Sequence, residues 1–474
     1  MARLMRCKYC GTLQDEPQGA KICVQCGGEL VFLADDPWAG EGIGQKGKSY
    51  IRAQLELDQI AAPADRVVER HLVITVETPD AVPLDEQAEG VAGREPLHFV
   101  AVLDTSGSMR GAKIGAAKEA VRQALRRLQD GDVFSLVTFA TDLRCPLESK
   151  RVDAGVRRVV TSSLQEIQAG GQTALCGGLE RGVERALTDP EKTNLVLLLS
   201  DGQANVGETD VEVVGRRAID ARAKGVTVST LGVGYDYNEA MMAEIALDGG
   251  GRFYHIADAG QIAAYLTGEL GEMASLAAYN AVVTLNLPAG TGVQALSAAY
   301  PVQAHSLSLG DIPISTTLEV IVRVLLLPQP AGSRLPMDGV LSYSSPARNA
   351  LTNPLNRVIV RFAQDALFTP VVGVVGPVVK RVLSYMQAAS VLATSKAATR
   401  GLGAARRQSE IDLASMRQYA ALLGEDEAVA HALADSEQVL REMAAPSPAA
   451  RPRAKAATHA AMRRHRGSKD FEKA

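Results

Sequence analysis

Between residues 97 and 273, short unbroken apolar runs alternate with amphipathic stretches. The runs are HFVAVL at 98–103, VFSLVTF at 133–139, TNLVLLLS at 193–200, VTVSTLGVG at 226–234 and GRFYHI at 251–256. Continuous apolar runs of this length fit strands buried on both faces. Residues 111–130 place Ile114, Ala117, Val121, Ala124, Leu125 and Leu128 on one helical face. Further helical patterns fall near 153–168, 174–188, 209–224, 238–247 and 259–273. This alternation predicts an α/β unit over 97–274, with a central, mostly parallel sheet flanked by helices.

On either side of that unit the apolar period drops to two. Residues 50–57 and 67–78 read as strands, as do 281–287, 293–299, 304–309, 316–327, 338–343 and 357–362. The segments 50–96 and 275–365 together predict one β-sandwich into which the α/β unit is inserted. Helical patterns resume over 366–444. Residues 445–474 are rich in Ala, Pro and Arg and read as a basic, disordered tail. The Gly-, Asp- and Pro-rich stretch 33–49 reads as a linker.

Composition adds little to this picture. The chain has 474 residues, 46% hydrophobic and 22% charged, which is ordinary for a protein with full-sized cores. A net charge of -4 gives no general reason to expect nucleic acid or a membrane. The first residues show no apolar run behind their basic ones, and no stretch reaches the roughly 20 apolar residues of a bilayer span. The expected location is cytoplasmic. In that compartment cysteines point to metal or free thiols rather than to disulfides.

Four of the six cysteines lie in residues 1–32. Cys7 and Cys10 form one CxxC pair, Cys23 and Cys26 a second, with twelve residues between the pairs. Two such turns supply four thiolates to one tetrahedral ion, which suits Zn²⁺. The segment resembles a zinc ribbon. Cys145 and Cys176 are left over; Cys176 sits at a helix start, yet a packing role is the simpler reading.

A second group of candidates carries only hard oxygen atoms. Asp104, Ser106 and Ser108 follow the first strand of the α/β unit directly, Thr173 precedes a helix, and Asp201 follows the most apolar strand. In an open parallel sheet these loops gather beyond the carboxyl ends of the strands, where ligands bind. Two carboxylates and three hydroxyls suit Mg²⁺, Mn²⁺ or Ca²⁺ and leave the ion short of donors. Water or a carboxylate from outside completes the shell. The bland alternative is that Ser, Thr and Asp merely cap helices.

DTSGSM, the threonine of GGQTAL and the aspartate of LLSDGQANVG resemble the metal-ion-dependent adhesion site (MIDAS) of von Willebrand factor A (vWA) domains. The resemblance covers about 97–273 and implies a Rossmann-like fold. It also implies that Ser106, Ser108 and Thr173 bind the metal directly and that Asp104 and Asp201 act mainly through water. The flanking strands and helices resemble bacterial relatives of inter-alpha-trypsin inhibitor heavy chains. The function these resemblances imply is that of a metal-dependent scaffold or regulatory module, not an enzyme, that grips a partner's Glu or Asp. An ATPase, kinase or phosphatase is the kind of partner the family suggests. Two other readings compete: a nucleic-acid-associated factor using the ribbon and basic tail, and a metal-dependent hydrolase. The second lacks a general base, since the carboxylates near the ion are its own ligands.

Overall fold

The computed structural model describes residues 4–7, 13–15, 30–32, 49–87, 96–256 apart from 190–191 and 235–236, 276–364 apart from 289 and 298, and 373–465 apart from 425 and 445–450. Three short strands come first: β1 (Leu4–Cys7), β2 (Leu13–Asp15) and β3 (Leu30–Phe32), in one antiparallel sheet ordered β2-β1-β3. The linker stretch apart from Ser49 lies outside the described residues. Next come β4 (Arg52–Leu57), β5 (Ala61–Pro63) and β6 (Val68–Glu77).

The α/β unit then runs β7 (Leu97–Asp104), α1 (Ala112–Arg127), β8 (Val133–Phe139), β9 (Leu143–Arg151), α2 (Ala154–Glu166), α3 (Leu175–Ala186), β10 (Thr193–Ser200), α4 (Val211–Ala223), β11 (Val226–Val233), α5 (Glu239–Asp248) and β12 (Gly250–Ile256). Its six-stranded sheet has the order β12-β11-β10-β7-β8-β9. All neighbours are parallel except β8 and β9. The sheet is thus mixed, and its edge strand β9 is an addition to the expected strands. LRCPLESKR buries only Leu147 and carries Pro146, which an edge strand tolerates and a central one does not. The pleat divides β7 cleanly: Val100 and Val102 join one buried cluster with α3, α4 and α5, while Phe99, Ala101 and Leu103 join another with α1 and α2. The helix expected at 259–273 lies outside the described residues.

After the unit come β13 (Leu276–Asn286), β14 (Gly292–Ala295), β15 (Val302–Gln303), β16 (Ser306–Pro313), β17 (Thr317–Leu326), β18 (Arg334–Ser344) and β19 (Ala350–Ala363). They join the early strands in two sheets, β15-β16-β13-β18-β19-β5 and β14-β17-β6-β4. β6 pairs with β17 over its whole length, from Val68↔Leu326 to Glu77↔Thr317. Chain on both sides of the α/β unit therefore shares each sheet. Leu55, Leu72 and Ile74 from one sheet and Val283, Leu341 and Val360 from the other contribute to a common buried cluster.

Among the described residues four α-helices follow: α6 (Gly376–Thr399), α7 (Leu402–Ala420), α8 (Glu427–Ala444) and α9 (Arg451–His465). The last corrects the expectation of a disordered basic tail over residues 451–465, the rest of 445–474 lying outside the described residues. Thr458, Ala461 and Met462 are buried, at three- and four-residue spacing, and Ala454 and Ala457 are half-buried. A run of alanines favours helix intrinsically, and Pro452 falls in the first turn, where its missing N–H costs nothing. Among the described residues no helix is long and apolar enough to cross a membrane.

Helix α6 ties the parts together. Tyr385 is fully buried and donates its hydroxyl to the Glu319 carbonyl of β17, and Arg381 bridges Glu319 and Glu56. At its far end Lys396 pairs with Glu244 and lies 3.5 Å from Glu212, and Arg400 pairs with Glu212, so the helix also touches α4 and α5. Asp248 sits in this junction. Burial first, then Glu244, pushes its carboxyl from 3.8 up to about 7, against Lys396 and Arg222. Its stability contribution is present below the unfolded value and is lost as pH rises through about 7. The cost of the charged form is on the order of 4 kcal/mol. Asp248→Asn is therefore expected to raise the thermal midpoint more at pH 8 than at pH 5. An offset that does not change with pH would refute this account of the junction.

Candidate metal centre

β7 and β10 are neighbours in the central sheet, and each ends on a polar residue: Asp104 on one, Ser200 on the other. The loops after them consequently lie side by side. Asp104 is fully buried. Its Oδ1 accepts from the Ser106 backbone N–H at 2.8 Å, and its Oδ2 accepts from the Ser200 hydroxyl. Burial pushes the Asp104 carboxyl above its ordinary value; the Ser200 and Ser106 hydrogen bonds oppose this, and nearby Asp201 adds to it. Ser106 is buried and Ser108 exposed, with their hydroxyl oxygens 3.0 Å apart. Two residues of a tight loop, separated by Gly107, thus turn toward one point.

The loop that carries Thr173 is stitched to the first by backbone bonds. Gly107 N–H donates to Gly171 O at 3.0 Å, and Gly170 N–H donates to Thr105 O at 2.8 Å. Gly171 has φ +80°, and a Cβ there would lie 2.8 Å from Thr141 Oγ1, so both backbone and space demand glycine. Thr173 is 1% exposed. Its N–H donates to Asn205 Oδ1 at 2.7 Å, and its carbonyl accepts from the N–H groups of Asn205 and Val206. This clamp links the second loop to the third, which starts at Asp201. Asp201 is fully buried, and the Lys113 ammonium donates to its Oδ2 at 3.1 Å. The three loops holding Asp104, Ser106, Ser108, Thr173 and Asp201 are therefore one connected structure.

Sequence reasoning misses the residues that hold these five in place. Ser200 and Asn205 are neutral polar residues within the wording of the motif, and nothing in their type marks them as orienting groups. Lys113 does carry a signal: it is a cation in the first turn of a helix, where the macrodipole disfavours it. The oxygen-only donor set is one that Mg²⁺, Mn²⁺ or Ca²⁺ takes and that softer metals do not prefer. Two carboxylates are buried here with an ammonium against Asp201, and a divalent cation would supply further counter-charge. On this structure the residues fit such an ion. Among the described residues no group of three or more His, Cys, Asp and Glu comes together.

Of the zinc candidates, Cys7 ends β1, while Cys10, Cys23 and Cys26 lie outside the described residues. Cys145 is half-buried and Cys176 buried; burial pushes both thiols up, which makes them poor nucleophiles and suits packing.

The fold and these loops define a class. Residues 99–267 match the von Willebrand factor type A domain, and the chain carries one such domain. The protein YfbK of Escherichia coli is 31% identical over 180 residues, which is 37% of this chain and 31% of that protein. Human inter-alpha-trypsin inhibitor heavy chain H4 is 30% identical over 165 residues, 33% of this chain and 18% of its own. The chain thus spans about a third or less of the length of these relatives. Two solved structures share the wider architecture. A von Willebrand factor type A protein from Catenulispora acidiphila superposes with TM-score 0.57 at 18% identity, covering 84% of this chain and 91% of that one. VWA2, the ArnB paralog of Sulfolobus acidocaldarius, gives 0.55 at 17%, covering 87% and 98%. These two likenesses concern the fold alone. Domains of this type are in general metal-dependent protein-interaction modules.

Proposed function

We propose that Asp104, Ser106, Ser108, Thr173 and Asp201 hold one divalent cation, Mg²⁺ or in its place Mn²⁺ or Ca²⁺, in an incomplete shell of MIDAS type. A glutamate or aspartate of a partner protein supplies the missing ligand. The observation that supports this reading is the presence of two fully buried carboxylates and three hydroxyl-bearing residues on loops that hydrogen bonds tie together. The bound ion supplies positive charge at the loop edge. The chain's residues do the rest: Ser200 and the Ser106 N–H orient Asp104, and Asn205 holds Thr173. Gln203, Asn205 and Glu208 are exposed around the third loop and are placed to contact a partner.

Capture of a protein partner is expected in Mg²⁺, to disappear in EDTA and to survive nuclease. Capture that ignores EDTA, or that nuclease abolishes, would falsify it. The hydrolase reading has no support in the site, because no His, Cys or further carboxylate gathers with Asp104 and Asp201 among the described residues. A nucleic-acid role is not favoured either. Residues 451–465, half of the supposed free basic arm, are folded against the body of the protein.

We also propose that Cys7, Cys10, Cys23 and Cys26 bind one Zn²⁺. The spacing supports it, and the first pair begins where β1 ends. Metal analysis of the purified protein is expected to find one zinc per chain, lost in Cys10→Ser. Zinc-free protein with a folded N-terminus would remove the assignment.

A further inference from the structure

We infer that Lys113 is a tethered counter-ion for Asp201 which the divalent cation has to displace, so that this lysine sets the threshold of metal loading. The inference rests on the cation site proposed above and goes beyond its ligands.

Lys113 is the second residue of α1, on the same loop-and-helix segment as Asp104, Ser106 and Ser108. Gly111, with φ +75°, turns the chain from the loop into the helix. The helix has no acidic residue in its first turn, and Lys113 faces the positive end of the macrodipole. Asp201 favours the position. Its carboxylate is fully buried, and the ammonium lies 3.1 Å from Oδ2. A carboxylate removed from water requires a counter-charge, and Lys113 provides one from within the chain.

The same carboxylate belongs to the set that would hold the metal. A divalent ion among these oxygens brings two positive charges close to the ammonium and repels it. Lys113 has somewhere to go: its side chain is 18% exposed and its four-carbon stem is flexible. Displacement keeps Asp201 neutralised at every stage, first by the lysine and then by the metal. The metal-free site is thereby spared two uncompensated buried anions, and metal affinity is held down because each binding event has to break an ion pair.

The test is calorimetric titration of Mn²⁺ into the metal-stripped full-length protein and into Lys113→Met, Lys113→Gln and Lys113→Arg, with thermal midpoints measured with and without Mn²⁺. The neutral variants are expected to bind Mn²⁺ about ten-fold more tightly than wild type, and the arginine variant within about two-fold of it. Metal-free Lys113→Met should melt below wild type, and Mn²⁺ should raise its midpoint by more than it raises wild type's. A merely structural lysine would lower the midpoint equally with and without metal and leave affinity unchanged. Unchanged or weaker affinity in both neutral variants overturns the inference while leaving the cation site intact. Wild type that takes up no Mn²⁺ overturns both.

Discussion

Asp104→Ala is expected to lose Mg²⁺ and Mn²⁺ uptake, with affinity falling by about 100-fold or more. The carboxylate does two things at once. It carries one of the two buried negative charges, and it fixes the loop that presents Ser106 and Ser108 through the 2.8 Å bond from the Ser106 N–H. Its other oxygen accepts from Ser200, which would be left without that acceptor. The Ser200 oxygen would still accept from the Gly202 N–H, but a buried O–H left without an acceptor costs about 1–3 kcal/mol. Relief of the repulsion from Asp201 offsets part of this, since that neighbour raises the Asp104 carboxyl further. The metal-free variant should therefore still fold, with a midpoint near that of metal-free wild type. The separation appears on adding metal. At about 100 times its dissociation constant a ligand stabilises the native state by about 2.7 kcal/mol. Wild type should gain that increment and Asp104→Ala none. Asp104→Asn keeps the hydrogen-bonding shape without the charge, and should lose metal while keeping the fold. Calorimetric heats of Mg²⁺ binding that survive in Asp104→Ala would end the proposed site.

Much of the α/β unit can be read from the chain because its physics is repetitive. β7 and β10 are buried on both faces and so read as continuous apolar runs. α1 shows its buried stripe at Ala117, Val121, Ala124 and Leu125. The metal candidates are legible because oxygen-bearing residues come directly after the ends of two such strands. What escapes lacks a repeating signal. β9 satisfies its backbone through one neighbour only and faces solvent, so nothing in LRCPLESKR alternates. α9 is hidden by charge: its arginines and lysine obscure the alanines and Met462 that dock it. Lys113 is hidden for another reason. A lysine in an amphipathic helix reads as solvated, and only the fold shows that its end meets a carboxylate 88 positions away.

A second group of buried polar residues, far from the metal loops in sequence, carries the other large expected effect. Asp58, 2% exposed, accepts from His71 Nδ1 and from the Tyr419 hydroxyl, both at 2.9 Å. The two rings also meet edge to face, 4.9 Å apart. Burial pushes the pKa of the neighbouring Arg70 guanidinium below its ordinary value, and Asp58 works against that lowering. One carboxylate thus joins β6, which carries Arg70 and His71, to α7, which carries Tyr419. Burial, together with the Asp58 charge, raises the Tyr419 hydroxyl well above its ordinary value, which keeps it a donor at any ordinary pH. Asp58→Ala strips the acceptor from two buried donors and the counter-charge from a buried guanidinium. Removing one member of such a buried set costs about 3–5 kcal/mol. Tyr419→Phe removes a single hydroxyl and should cost about 1–2 kcal/mol. Because both changes break the same bond, their double variant should be less destabilised than the sum, by about 0.5–3 kcal/mol. Strict additivity in denaturant unfolding would show that Asp58 and Tyr419 do not act as a latch between the sheets and the helices. Protease sensitivity gives an independent reading. If the latch holds α7 in place, Asp58→Ala should expose the 402–444 region to cleavage under conditions where wild type is resistant.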